Sequence, residues 1–334
     1  MTVPQRPCNV LKTGHAEIRV TDLDRSRDFY VELLGFVETE RHGDSLYLRC
    51  LEDWEHHSLI LRQAPSAGLS HMAFRVAGSA DLEALERLAA SRRLPRRWIE
   101  PGEERGQGRA LRVQDPLGFP VEFYHDVERV ERLLQRFDRY RGPHVMRVDH
   151  FNLQVPDVQA GQDWYMGELG FYCSEYTESD DQPPALWATW LHRKQNVHDV
   201  ALMTGPGPRL HHIGFWTQEP GNVLRAADIL AGAGHEVAIE RGPGRHGISN
   251  AMFLYLRDPD GNRIELYTSD YLIPDPDFEP IRWSLSDPKR QTIWGHAAPP
   301  SWFNDASRVE RIDGQGFVEI SEPRMADRPS FVGH

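Results

Sequence analysis

Cysteine is scarce in this chain. Cys8, Cys50 and Cys173 are odd in number, lie far apart and form no C-x-x-C pair, which excludes a disulfide framework and a zinc thiolate site. Each reads as a small buried thiol. Long apolar runs are missing too: no stretch approaches the roughly 18 residues of a membrane span, and Met1 to Gly14 lacks the apolar core of a signal peptide. The expectation is therefore a cytoplasmic protein with no membrane partner. There is no excess of basic charge either, and a formal net charge of −12 argues against the basic surface that nucleic acid requires. What is present is the balance of a globular protein, 40% hydrophobic and 26% charged over 334 residues, enough for two ordinary domains and a tail.

The chain carries an internal duplication. His15 to Phe36 and His150 to Phe171 are each 22 residues long and agree at eight positions: the histidine, a Val, two Asp, a Tyr and the closing Leu-Gly-Phe. Each reads as a strand, a turn at the Asp, and an amphipathic helix stopping at Gly35 or Gly170. Further on, His57 precedes His71 by 14 residues, as His198 precedes His212. Glu122 follows Asp115-Pro116-Leu117-Gly118 as Glu265 follows Asp258-Pro259-Asp260-Gly261, each a turn feeding a last strand.

A weaker echo within each half opens a second strand-helix-strands unit at Leu69 and at Leu210. Four such units in two domains indicate an α+β fold, with curved sheets whose concave faces form a site and helices outside. The expected division is 1–140, 141–271 and a tail at 272–334 rich in Pro, Asp and Trp, packed across the surface. The first boundary is expected in a charged helical segment, Val127 to Tyr140, or just after it.

Three residues on separate strands, His150, His212 and Glu265, form a set that suits divalent iron or manganese and leaves coordination positions open. Aligning Ser70-His71 with His211-His212 makes His212 the ligand and His211 structural, and strand alternation turns the two neighbours opposite ways. Glu265, between two apolar residues on a buried strand, is costly unless paired or metal-bound.

Asp149-His150-Phe151-Asn152, Leu210-His211-His212, and the run from Arg245-His246-Gly247 through Tyr255 and Asp258-Pro259-Asp260-Gly261 to Glu265-Leu266-Tyr267 resemble type I extradiol ring-cleaving dioxygenases of the vicinal oxygen chelate superfamily. The likeness covers nearly the whole chain and is strongest to homoprotocatechuate (3,4-dihydroxyphenylacetate) 2,3-dioxygenases. It implies four βαβββ modules paired into two domains of the glyoxalase and bleomycin-resistance kind, with a C-terminal tail as lid. Other implications are Fe(II), or Mn(II), on His150, His212 and Glu265, a catecholic substrate with O2, and a homotetramer. The resemblance makes His198 the acid-base residue, with Asn152 and Tyr255 assisting and Trp190 as an aromatic wall. It gives Arg241, His246, Arg290 and Trp302 to substrate binding. A departure stands at Gln291, where those enzymes carry a second arginine; losing a bidentate carboxylate partner points to another catechol, or only to a changed rim contact.

His15, His71 and Glu122 stand at the repeat positions of the three ligands, but Arg112 falls where Tyr255 stands. In the family the first domain is usually inactive, so these groups are expected to form a hydrogen-bonded core. Two other readings belong to the same superfamily: a glyoxalase-like isomerase, which typically uses a further carboxylate or glutamine ligand, and a non-catalytic small-molecule binding protein. A third is a structural or partner-binding protein whose histidines only pack.

Overall fold

The strands fall where β-branched and aromatic residues cluster between turns, and the computed structural model describes them within residues 8–326. In the N-terminal half these are β1 (Val10–Val20), β2 (Val37–His42), β3 (Ser45–Arg49), β4 (Leu59–Gln63), β5 (Gly68–Val76), β6 (Arg96–Ile99), β7 (Ala110–Gln114) and β8 (Pro120–Tyr124). The C-terminal half repeats them as β9 (Val145–Val155), β10 (Tyr172–Glu178), β11 (Leu186–His192), β12 (Val200–Thr204), β13 (Arg209–Thr217), β14 (Ile239–Arg245), β15 (Met252–Arg257) and β16 (Arg263–Thr268). The first sheet runs β2-β3-β4-β1-β5-β8-β7-β6, and the second β10-β11-β12-β9-β13-β16-β15-β14, the same order strand for strand. In both, the two central strands are antiparallel and each has a parallel outer neighbour, the outcome of four βαβββ modules joined in pairs.

The helix of each odd module is built alike. In the first, α1 (Leu23–Arg27) is capped by Asp22, whose carboxylate accepts from two backbone N–H groups, and runs on as a π-helical turn to Leu33. In the third, α3 (Val158–Gln162) is capped by Asp157 and runs on to Glu168. Both end at a glycine of positive φ, Gly35 at +75° and Gly170 at +73°. A side chain on Gly35 would come within 2.3 Å of the Arg141 carbonyl, so the position is closed to other residues twice over. The even modules have the longer helices α2 (Ser79–Ser91) and α4 (Pro220–Gly232).

One continuous apolar core serves both halves. Phe36 meets Phe215 edge to face at 4.9 Å, and Phe74 meets Phe151, Tyr165 and Phe171 at 5.5 to 6.3 Å. The connecting segment 127–140 is not the helix that its charge pattern suggests, and only Phe137–Arg139 makes a 3-10 turn. Its backbone is satisfied instead by the N-terminal half: Val130 N–H donates to Trp54 and Leu133 N–H to Leu51, which holds the chain extended.

Beyond Tyr271 the tail adds β17 (Ile281–Ser284), parallel to β10 at the sheet edge. Two short helices follow, α5 (Pro288–Gln291) and α6 (Pro300–Asn304), which bury Arg290, Trp302 and Phe303 against the C-terminal sheet. The tail then crosses to the first sheet, where Glu310 pairs with Arg19 and Arg62. No helix among the described residues is long and apolar enough to cross a membrane.

Candidate metal centre and cavity

Because β9, β13 and β16 are adjacent strands of one sheet, the residues they direct to its concave face converge. His150 Nε2 lies 3.3 Å from His212 Nε2 and 3.0 Å from Glu265 Oε2, and His212 Nε2 is 3.3 Å from the same oxygen. All three are buried. The close approach depends on Gly214, since a Cβ there would lie 2.1 Å from the His150 ring.

The remote nitrogens are tied down. His150 Nδ1–H donates to Asp149 (3.3 Å), a buried carboxylate that also accepts from Asn196 (2.8 Å). His211 Nε2–H donates to the Trp302 carbonyl (2.9 Å); its Nδ1 then accepts from His212 Nδ1–H at 2.7 Å, which leaves the His212 Nε2 lone pair facing Glu265. The adjacent rings touch rather than turning opposite ways. A register shift in the β13 to β9 ladder between Leu210 and His212 breaks the alternation that plain strand geometry predicts, so His211 buttresses its neighbour directly.

The electrostatics suit a cation. Burial disfavours charge on His150, yet hydrogen bonds to Asp149 and Glu265 outweigh it and lift its pKa to about 9. Burial takes His212 down to about 4. Glu265 resists its own burial through the two imidazoles and is held well below the usual carboxylate range. A divalent ion would take the place of the proton that His150 holds toward Glu265, and the donor set of two nitrogens and one oxygen fits it.

Beside the three donors is a cavity of about 70 Å³. Asn152, Trp190, His198, His246, Tyr255, Arg290 and Trp302 line it along with His150, His212 and Glu265. His198 lies over His150, ring centroids 4.0 Å apart, and burial holds its pKa well below the ordinary histidine value, so it is neutral. Asn152 Oδ1 is buried without a partner. His246 Nδ1–H donates to the Gln291 carbonyl, which leaves Nε2 to accept from Tyr255 OH at 2.9 Å. Arg290 is 2% exposed, and its Nε and Nη2 have no partner.

Arg241 stands behind this lining. It donates to Thr292 Oγ1 (2.8 Å) and lies over the Trp302 ring at 4.5 Å. Trp187 and Met203 also line the cavity, and no motif in the sequence singles them out. Ile248 and Tyr267, which line it too, lie within the motif run, and Tyr267 stands two residues after Glu265 on a strand and thus on the same face.

A buried cluster of two histidines and one carboxylate facing a cavity, on paired βαβββ modules, is the layout of a metal-dependent enzyme. The sequence matches the Glyoxalase/Bleomycin resistance protein/Dioxygenase superfamily over residues 12–123 and 147–266. A manganese-dependent 2,3-dihydroxybiphenyl 1,2-dioxygenase of Geobacillus genomosp. 3 is 37% identical, over 85% of this chain and 93% of its own. Among solved structures, homoprotocatechuate 2,3-dioxygenase of Brevibacterium fuscum, in an anaerobic complex with 3,4-dihydroxyphenylacetate, superposes with a TM-score of 0.91 at 42% identity, covering 96% of this chain and 99% of that one. The enzyme of the same name from Arthrobacter globiformis gives 0.90 at 43% identity, covering 95% and 98%. The chain belongs to this superfamily, and within it to the metal-dependent extradiol dioxygenases. Its relatives are named as manganese-dependent and as iron-dependent enzymes.

Proposed function

We propose that this dioxygenase cleaves a catechol bearing a side-chain carboxylate, 3,4-dihydroxyphenylacetate being the first candidate, beside the two hydroxyls to give a hydroxymuconic semialdehyde. The observation that carries the reading is Arg290, a buried guanidinium with two unpartnered nitrogens lining the cavity. Such a group is stable there when a substrate anion completes it. Burial lowers its pKa to about 10, the direction expected of a cation taken out of water.

His150, His212 and Glu265 would hold Fe(II) or Mn(II), which supplies a Lewis-acidic, electron-transferring centre for catechol and O2 when bound. Two neutral imidazoles and one carboxylate leave a divalent ion about +1, which favours the catechol as a monoanion. His198 is neutral and placed to accept the second hydroxyl proton and return it to oxygen. Tyr255 is oriented by His246, itself fixed by the tail at Gln291, so the tail helps to set the position of the tyrosine hydroxyl. Asn152 offers its free Oδ1 as an acceptor.

A neutral aryl-substituted catechol is the second reading, favoured by the apolar walls Trp187, Met203 and Ile248 and by Gln291 in place of a second cation. Oxygen uptake after anaerobic reconstitution with Fe(II), and separately with Mn(II), decides between them. The substrates are 3,4-dihydroxyphenylacetate, unsubstituted catechol and 2,3-dihydroxybiphenyl. The expected result is a clear preference for the acid. In Arg290→Met its kcat/KM should fall roughly 10- to 100-fold, the loss of one charged hydrogen-bond partner, with catechol nearly unaffected. Equal loss on both substrates would sink the carboxylate reading.

A further inference from the structure

A second group of donors lies buried in the N-terminal half. His15 on β1, His71 on β5 and Glu122 on β8 hold the strand positions that His150, His212 and Glu265 hold in the other sheet. Glu104 joins them from the loop between β6 and β7, and each of the four is less than a tenth exposed. His15 Nε2 is 3.1 Å from His71 Nε2, 3.0 Å from Glu104 Oε1 and 3.7 Å from Glu122 Oε1. Donors bonded to one first-row ion at roughly 2.0–2.2 Å are themselves about 3.0–3.5 Å apart, so the His15–His71 and His15–Glu104 separations match a single shared ion, and Glu122 Oε1 lies just beyond that range.

The neighbours are arranged as supports for such an ion. Arg112 donates to Glu122 Oε2 (2.8 Å from Nε) and to Glu104 Oε2 (3.2 Å); His15 faces both Oε1 atoms, whereas His71 Nε2 lies 3.4 Å from Glu104 Oε2 and 3.4 Å from Arg112 Nη2. Gln107 donates to Glu122 Oε1 (2.7 Å), and His57 Nε2–H to Glu104 Oε1 (3.1 Å). Two carboxylates and one guanidinium sum to −1, so a divalent ion brings the group to +1, the charge reached at the catalytic triad. Glu104 meets Arg112 where, in the other half, His246 meets Tyr255. The repeat has thus exchanged a substrate-facing pair for an acid and a base that seal the site. A polar cavity of about 480 Å³ on this side is lined by Glu104 and Arg112 but not by His15, His71 or Glu122.

We propose that His15, His71, Glu104 and Glu122 bind a second divalent first-row transition ion, in a closed structural site that ties β1, β5 and β8 to the loop carrying Glu104. Four protein ligands and no open position distinguish it from the catalytic centre. Two imidazoles and two carboxylates suit zinc, manganese or iron(II) over calcium and magnesium, which favour all-oxygen sets. The proposal stands on these distances and is independent of the substrate reading above.

The test strips the full chain with chelator, reloads it with Zn(II) alone, removes excess ion and measures metal per chain. Two ions are expected in the unmodified protein, one in Glu265→Ala and one in Glu104→Ala. Should Glu104→Ala misfold, Glu265→Ala decides alone. Its retained zinc should appear by anomalous scattering among His15, His71, Glu104 and Glu122. One ion in the unmodified chain and none in Glu265→Ala overturns the proposal. One ion in both supports it, and refutes the C-terminal ligand set instead. No ion in any of them overturns both.

Discussion

Gly214 sets the spacing of the metal centre without supplying a ligand. Its missing side chain is where the His150 ring sits, so Gly214→Ala must push that ring away from His212 and Glu265. Displacements of about 1 Å in such sites cost on the order of 10²-fold in rate. Gly214→Ala is expected to fold, to lose tightly held metal, and to lose oxygen uptake by at least that factor; metal analysis beside the kinetics checks it. His198 predicts the opposite separation. It touches the His150 ring but is no member of the donor cluster, so His198→Asn should keep its metal while kcat drops roughly 10²- to 10⁴-fold, the usual worth of a positioned proton carrier. Both residues differ in how far the sequence announces them. His198 is marked by its fixed distance to His212 in a duplicated pattern. The constraint on Gly214 comes from packing across strands, which a single chain does not display. His211 lies between: the repeat assigns it a structural part, but its bond to His212 depends on a register shift that strand alternation alone does not predict.

At the level of elements, the two Asp-Pro-x-Gly turns that feed β8 and β16 were legible, because an Asp that caps its own turn leaves a local signature. Asp115 Oδ1 accepts from the backbone of Leu117 and Phe119, and Asp258 Oδ1 from that of Asp260 and Asn262. Their burial was not legible, and it has a consequence. Burial raises Asp115 to about 7 despite its backbone donors, and Oδ2 has no partner. With the folded value above the unfolded one, the native state holds the proton longer. Its contribution is intact below about pH 4 and is lost as pH rises toward 7. Asp115→Asn keeps the capping oxygen and removes the titration. Its melting temperature should match the parent near pH 4 and exceed it by a few degrees, in order of magnitude, above pH 7, as a pH series of thermal melts would show. The segment 127–140 and the loop with Glu104 were misread or missed for a shared reason. Both take their conformation from hydrogen bonds to distant strands, and such partners leave no periodicity in the local sequence.

For the whole molecule, the duplicated sequence implies two domains able to unfold one at a time, whereas the packing implies a single cooperative unit. Phe74 belongs to the N-terminal sheet, yet it stacks on Phe123 of its own half and meets Phe151, Tyr165 and Phe171 of the other. Thr13 binds Asp199 across the same boundary, and Tyr30 OH donates to Asp258 (3.1 Å). The tail closes the connection by carrying Trp302 over the C-terminal cavity and Glu310 onto Arg19 and Arg62. An apolar interface without a seam leaves neither half a complete core when the other is lost. One calorimetric transition is therefore expected. Phe74→Ala, which removes a buried aromatic at roughly 3–5 kcal/mol, should lower that transition as a whole rather than split off an early N-terminal step. Metal release from the C-terminal centre should follow the same curve, although Phe74 lies in the other sheet. Two resolved transitions, with only the first moved by Phe74→Ala, would show instead that the halves are energetically separate and that the shared core contributes little to holding His150, His212 and Glu265 together.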